Sequence, residues 1–253
     1  MRLVLIVEDR VGFITGKILA DRVLIECGPD WIDVDSIDSL REWTGLDGAT
    51  PFTKWTEVPA LAQSRGIRVH GRTEGPDYMA ARRALTLAFA DSGASSIAAV
   101  VLVRDMDNQP RRRRGLGMAR DHMAAGLPFQ VAIAAADPEG EAWIMHAFCA
   151  ESDAEKASLA QAQTRLGFDP RRHPEWLRGD RQRDGKGAER DLKRVLSELA
   201  GCDPVRQERC LESVPLRDLM ELGHATGVAD YLVEVRDRLL PLLDPGPPKP
   251  CDL

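Results

Sequence analysis

Several features that mark other protein classes are scarce in this sequence of 253 residues. Aromatic residues make up 5% of the chain, which gives no indication of an aromatic surface for stacking nucleic-acid bases. The cysteines are odd in number and include no C-x-x-C pair, which argues against a disulfide scaffold and against a zinc knuckle. We therefore expect reduced thiols, as in a cytoplasmic protein, at all five: Cys27, Cys149, Cys202, Cys210 and Cys251.

Long apolar runs are also missing. The apolar run near the N-terminus is too short for the hydrophobic part of a signal peptide, and acidic residues follow it directly. No stretch approaches the ~20 residues that a membrane-spanning helix needs. The expectation is a cytoplasmic protein that makes no contact with a membrane.

The chain is acidic, with a formal net charge of −6. That balance argues against a general nucleic-acid coat protein. It leaves local binding open, because residues 111–114 are four consecutive arginines. The length and the ordinary apolar content fit one large α/β domain, or one domain with a helical appendage.

Apolar runs alternate with amphipathic segments over the first 150 residues. Predicted strands are residues 3–7, 97–103 and 129–135, with further candidates at 23–27 and 67–70. Predicted helices are residues 15–21, 35–43, 76–90, 115–125 and 139–148. This alternation predicts an α/β fold with a Rossmann-like parallel sheet flanked by helices.

The pattern changes after residue 150. Residues 151–244 are predicted to be helical, and their apolar stripes predict packing on the sheet. Residues 245–253 are rich in proline and cannot pack as a helix. The predicted division is therefore an α/β domain at 1–150, a helical C-terminal region at 151–244, and a tail at 245–253.

Acidic residues follow two of the predicted strands. Glu8 comes directly after residues 3–7, and Asp105 and Asp107 come just after residues 97–103. In open parallel sheets, functional side chains collect at the carboxyl ends of strands, and alternate residues of an extended segment face the same way. Carboxylates suit Mg²⁺ or Mn²⁺, so the three predict a metal site. Each motif alone is as typical of a solvated turn or a helix cap.

This arrangement resembles the Toprim domain of topoisomerases, primases and overcoming-lysogenization-defect nucleases. Residues 131–143, VAIAAADPEGEAW, are similar to a segment of small stand-alone Toprim-like proteins, and the resemblance covers residues 1–150. It implies that Glu8 is a metal ligand or a general acid/base and that Asp105 and Asp107 are metal ligands. Glu141 matches the acid of the Glu-Ala-Trp segment. Asp9 departs from the small residue usual there, and residues 11–17 lack the second acid of the nucleases.

The resemblance implies a metal-dependent nuclease that acts on nucleic acid, with DNA as the favoured polymer and an anti-phage defence effector as the setting. An ABC-type ATPase partner and a homo-oligomer are further expectations. Four arginines near Asp107 and a lysine outside the core fold are candidates for binding substrate phosphates: Arg111, Arg112, Arg113, Arg114 and Lys186.

Two other interpretations remain open. One is a non-catalytic Toprim-like subunit that binds nucleic acid or an ATPase partner, which the missing second acid favours. The other is a response-regulator receiver, which the opening residues LVLIVED resemble. Its candidate acceptors, Asp47 and Thr53, lack a preceding apolar run, which disfavours this interpretation.

Overall fold

The computed structural model describes residues 1–71, 75–91, 97–177, 187–244, 246, 249, 251 and 253. Its strands are β1 (Arg2–Val7), β2 (Glu42–Thr44), β3 (Thr53–Lys54), β4 (Ile97–Asp105) and β5 (Gln130–Ala136). Its α-helices are α1 (Arg10–Glu26), α2 (Ile37–Leu40), α3 (Val58–Ser64), α4 (Tyr78–Asp91), α5 (Pro110–Met123), α6 (Glu141–Ala147), α7 (Asp153–Leu166), α8 (Leu192–Ala200), α9 (Pro204–Ser213), α10 (Leu216–Leu222), α11 (Val228–Arg238) and α12 (Leu240–Leu243). None of these helices is both long and apolar enough to cross a membrane.

The five strands form one parallel sheet. Four of them follow the order β2-β1-β4-β5, and β3 pairs with β1 outside this order. The short strands β2 and β3 both pair with β1, β2 along its first half and β3 along its end. The central pair β1 and β4 is buried on both faces, which explains why their sequences are nearly continuous apolar runs. The predicted α/β fold with a parallel sheet flanked by helices is confirmed.

Two hydrophobic cores cover the two faces of this sheet. One face packs against α3, α4 and α5. The other packs against α1, α6 and helices of the C-terminal part, which share a single core with the strands. Within it, the Tyr231 hydroxyl donates to the Gly16 carbonyl at 2.6 Å, and the Tyr231 ring stacks on Trp143. The C-terminal helices are therefore built into the same core as the sheet.

Two predicted strands are wrong. Residues 23–27 continue α1 to Glu26, because Val23 and Leu24 fall on the helical face that also buries Leu19 and Ala20. Residues 67–70 form no regular element. The sheet instead includes β2 and β3, which are three and two residues long and too short for a periodic signal. The predicted helix at residues 35–43 is also wrong in extent, because α2 covers Ile37–Leu40 and residues 42 and 43 belong to β2.

The expectation of fully reduced thiols is also wrong. Cys27 and Cys251 form a disulfide, with their Cα atoms 5.1 Å apart across a sequence separation of 224 residues. Cys149, Cys202 and Cys210 are free thiols. Cys251 lies next to the end of α1, and no local spacing in the sequence signals that contact. The absence of a C-x-x-C pair excludes a local cysteine motif, but it does not exclude a disulfide between cysteines that are distant in the sequence.

Candidate metal centre at the carboxyl edge of the sheet

Two acidic residues lie side by side at the carboxyl ends of the central strands. Glu8 follows β1 directly, and Asp105 is the last residue of β4. The two strands are parallel neighbours, with Ile6 opposite Leu102, so both carboxylates lie at the same edge. Asp9 follows Glu8 and serves as the N-cap of α1.

The turn after β4 separates the directions of Asp105 and Asp107. Asp107 and Asn108 have left-handed backbones, with φ of 50° and 57°, which Asp and Asn tolerate better than most residues. The Asp107 amide donates to the Pro138 carbonyl at 2.9 Å, which ties the turn to the end of β5. The extended geometry assumed from the sequence thus ends before Asp107.

Arginine side chains hold one half of the site. The Arg112 guanidinium donates to Asp107, to Asp77 at 2.6 Å and to Glu8 at 3.4 Å, and Arg112 is 3% exposed. Arg104 pairs with Glu8 and with Asp77, each at 3.0 Å. We call these five residues the arginine-bound half. Its three carboxylates face two guanidinium groups, so most of their charge is balanced.

The other half is more acidic. Asp105 accepts a hydrogen bond from the Gly140 amide at 3.0 Å, which turns its carboxyl toward the start of α6. Lys193, on α8, places Nζ 2.9 Å from Glu139 Oε2 and 3.5 Å from Glu141 Oε1. We call Asp9, Asp105, Glu139, Glu141 and Lys193 the acidic half. Four carboxylates and one ammonium leave it with a negative excess.

The pKa values of the acidic half reflect this excess. Burial, followed by the negative charges of Glu8 and Glu141, raises the pKa of Asp105 to about 8. Burial also raises the pKa of Glu141 to about 7, with Lys193 opposing the rise and Glu139 adding to it. In the metal-free chain at neutral pH, the Asp105 carboxyl is therefore mainly protonated.

The arginine run of residues 111–114 is divided by the geometry of α5. Arg112 faces inward as part of the arginine-bound half, whereas Arg111, Arg113 and Arg114 are exposed. Arg113 pairs with Asp230 on α11 at 2.5 Å. Arg111 and Arg114 can thus contact a ligand from solution, whereas Arg112 is buried. Lys186 lies outside the described residues.

Several residues of the site escaped the sequence argument. Glu139 stands two residues before Glu141 in the segment D-P-E-G-E, and that second acid was a usable signal. Arg104 directly precedes Asp105, but its position near the end of a strand gave no indication of a role in the site. Asp77 and Lys193 have no local signal, because the packing of distant helices α4 and α8 brings them to the edge of the sheet.

The donor atoms suit a hard divalent cation. All the acidic side chains at this edge offer carboxylate oxygens, the ligands that Mg²⁺ and Mn²⁺ prefer. Over the described ranges, no three His, Cys, Asp or Glu side chains stand preassembled as a ligand set. Glu8 and Asp107 are turned toward Arg112 instead. A cation therefore fits the donor chemistry, and it requires these carboxylates to exchange partners.

Comparison with known proteins adds no relative. No family model, no curated protein and no solved structure matches this chain. The Toprim resemblance therefore stays an expectation from the sequence.

Proposed function

We propose that this chain is a metal-dependent enzyme that cleaves phosphodiester bonds in nucleic acid, with a Toprim-like active centre. One observation carries the proposal: Asp105, at the carboxyl edge of a parallel sheet, is close enough to Glu8, Glu141, Asp9 and Glu139 for their negative charges to add to burial in raising its pKa. Bringing like charges together in a partly buried place is costly, and the single ammonium group of Lys193 does not balance the carboxylates of the acidic half. The position matches the edge where α/β sheets carry their functional residues.

The cation is Mg²⁺ or Mn²⁺, and Asp105 is its central ligand in this proposal. Glu8 and Asp107 would hold the cation with Asp105, in place of their ion pairs with Arg112. When bound, such a cation stabilises negative charge on a phosphoryl oxygen and lowers the pKa of a bound water.

The protein side chains supply the remaining roles. Lys193 carries a positive charge beside Glu139 and Glu141, where it stabilises charge that develops on the phosphate. Lys193 would thus have the phosphate-binding role that the sequence analysis assigned to Lys186. Glu141, with a pKa raised to about 7, holds or accepts a proton at its carboxylate near neutral pH. Arg111 and Arg114 bind phosphates away from the centre.

The wider setting rests on the Toprim resemblance. It comprises DNA as the polymer, action in the cytoplasm as an anti-phage defence effector, and an ABC-type ATPase as partner. A homo-oligomer belongs to the same proposal.

A non-catalytic Toprim-like subunit that binds nucleic acid or an ATPase partner is the second candidate. The observation that favours it is Arg112, whose guanidinium bridges Asp107, Asp77 and Glu8 where a ligated cation would draw on the same oxygens. An arginine can thereby serve as a permanent counter-ion, and the acidic residues would then have a structural role.

Plasmid cleavage tests the two candidates against each other. Supercoiled plasmid is incubated with the full chain and Mg²⁺, Mn²⁺ or EDTA, and nicking is scored on a gel. Asp105→Asn and Glu8→Gln should lower the rate by about 10²-fold or more, since each removes a ligand of the reacting centre. Asp35→Asn, at an exposed carboxylate outside the site, is the matched control.

The outcomes separate the candidates. Metal-dependent nicking that both site variants lose supports the enzyme. Thermal stabilisation by metal or binding to nucleic acid without nicking supports the non-catalytic subunit. A wild-type protein with no thermal response to Mg²⁺ or Mn²⁺ overturns the metal centre itself.

A further inference from the structure

One tryptophan is held in an exposed position. Trp176 is 52% exposed, whereas Trp43, Trp55 and Trp143 are each at most 8% exposed. Trp31 is the other exposed tryptophan, at 56%. Leaving so large an apolar ring in water forgoes the free energy that its burial would provide, so a fixed, exposed tryptophan suggests a binding role.

The Trp176 ring is fixed by its neighbours. Its plane stacks on the His173 ring, with centroids 4.1 Å apart and 8° between planes, and it meets the Phe168 ring edge-on at 5.1 Å. The short 3₁₀ turn Pro174–Trp176 is pinned by the buried side chains of Pro174 and Leu177. We call Phe168, His173 and Trp176 the aromatic platform.

Two exposed arginines lie next to residues of the aromatic platform, one in space and one in sequence. Arg190 lies over the Phe168 ring at 5.8 Å, and Arg172 is exposed next to His173. Neither arginine forms an ion pair with a carboxylate of the residues that the structure describes. Glu175, which precedes Trp176 in the sequence, pairs with His173 at 3.1 Å. Arginines next to Phe168 and His173 add a means of neutralising phosphate to the stacking surface of Trp176.

The aromatic platform is connected to an element that contributes to the acidic half. The Arg171 carbonyl lies 2.7 Å from Nδ1 of His146, which fixes the segment to α6, and α6 begins at Glu141. Arg190 precedes Lys193 by three residues. The segment that carries the platform thus contacts α6, and Arg190, which lies over Phe168, precedes α8 in the chain.

We propose that the aromatic platform stacks an unpaired base of a single-stranded nucleic acid, with Arg172 and Arg190 contacting the adjacent phosphates. This inference rests on the proposed function for the class of polymer, and it specifies the strand form. A ring can stack only on a base that is not already stacked in a duplex, and such stacking tolerates any base. The amino-acid composition gave no indication of this surface, because a low aromatic content does not reveal where three rings converge.

Trp31 provides an internal contrast. It is as exposed as Trp176, but Asp30, Asp33 and Asp35 surround it in the sequence. Those carboxylates repel phosphates, so the same ring type in an acidic setting should not bind nucleic acid.

Binding of oligothymidylate to the full chain in EDTA tests the inference. Affinity is measured by anisotropy of a labelled oligonucleotide, together with quenching of tryptophan fluorescence. Trp176→Ala should weaken binding about tenfold or more, the usual loss for one stacked base. Trp31→Ala should change it less than about twofold on the same scale. Trp176→Phe, which keeps a ring, should lie between the wild type and Trp176→Ala.

Two further measurements keep the test decisive. Arg172→Gln should reduce the slope of log affinity against log salt by about one, as expected for one lost phosphate contact. If Trp176→Ala lowers the melting temperature markedly, the Trp176→Phe variant and this salt slope decide the question. A blunt-ended duplex of equal length should bind more weakly than the single strand.

Several results would overturn the inference: unchanged affinity in Trp176→Ala, equal binding of duplex and single strand, or no binding of oligonucleotide at all. The last would leave Trp176 as a contact for a protein partner. The binding test is run in EDTA and does not depend on metal-dependent cleavage. A protein that fails to cleave plasmid can therefore still pass or fail it. Cleavage with unchanged binding in Trp176→Ala would preserve the proposed enzyme and reject the platform.

Discussion

Replacing Asp105 with asparagine should stabilise the metal-free protein at neutral pH. Burial and the charges of Glu8 and Glu141 raise the pKa of Asp105 from the ordinary 3.8 to about 8. Each unit of difference between the folded and unfolded pKa values costs about 1.36 kcal/mol while the unfolded state is ionised. At pH 7 the wild type can therefore lose at most ~4 kcal/mol of its free energy of unfolding through the Asp105 carboxyl. Because the side chain keeps some contact with water, we expect about 1–3 kcal/mol.

The sign of the effect follows from linkage. A carboxyl whose pKa is raised by folding gives its full relative stability below pH ~4, and that stability is lost as pH rises toward about 8. Asparagine does not titrate, and its side-chain oxygen can still accept the Gly140 amide hydrogen bond. The stability advantage of Asp105→Asn over the wild type should therefore grow from pH 4 to pH 8 and then level off.

Urea unfolding in EDTA at several pH values measures this difference, with Asp35→Asn as the control for loss of an exposed carboxylate. With Mg²⁺ or Mn²⁺ the order should reverse, because the wild type gains the free energy of metal binding and the variant loses a ligand. A variant that is less stable than the wild type in EDTA at pH 7 would refute the reasoning. It would show that Asp105 is ionised in the fold and held by partners that need its charge.

Three further predictions address the cations and the disulfide. Lys193→Met should lower metal-dependent cleavage by about 10²–10³-fold, whereas Lys186→Met should change it only a few-fold; initial rates on plasmid decide between the two lysines. Arg112→Gln should lower the free energy of unfolding by ~1–3 kcal/mol, because Arg104 is then the one guanidinium group left in the arginine-bound half to balance its three carboxylates, and Arg111→Gln should cost less than ~0.5 kcal/mol; chemical denaturation compares them. Reducing agent should lower the melting temperature of the wild type but not of Cys251→Ser, with ~5 kcal/mol as the upper limit from chain entropy across the closed loop.

The parts of the fold that the sequence predicted are those with strong local signals. Residues 3–7, 97–103 and 129–135 are long apolar runs, and they became β1, β4 and β5. The edge strands β2 and β3 were missed because a strand of two or three residues is defined by its pairing with β1 and not by its own periodicity. Pairing with a distant strand leaves no mark in a short window of sequence.

The candidate site divides in the same way. Glu8 and Asp105 were predictable, since each stands at the end of an apolar strand and parallel neighbours end at one edge. The direction of the Asp107 side chain could not be predicted, because Asp107 and Asn108 both have left-handed backbones that turn the chain away from the extended path. Lys193 and Asp77 depend on how separate helices pack, and only the folded chain brings them to the same carboxylates.

The C-terminal helices must therefore be counted as part of the site. Without α8, the acidic half would keep four carboxylates and lose its only described cation, Lys193. Without α11, Tyr231 would no longer cover Gly16 on α1, the helix that Asp9 caps beside Glu8. A fragment that ends near residue 150 would thus expose the shared core and concentrate uncompensated negative charge at the sheet edge. Because the same helices supply both the packing and the balancing ammonium, the sheet and the C-terminal part act as one unit in either candidate function.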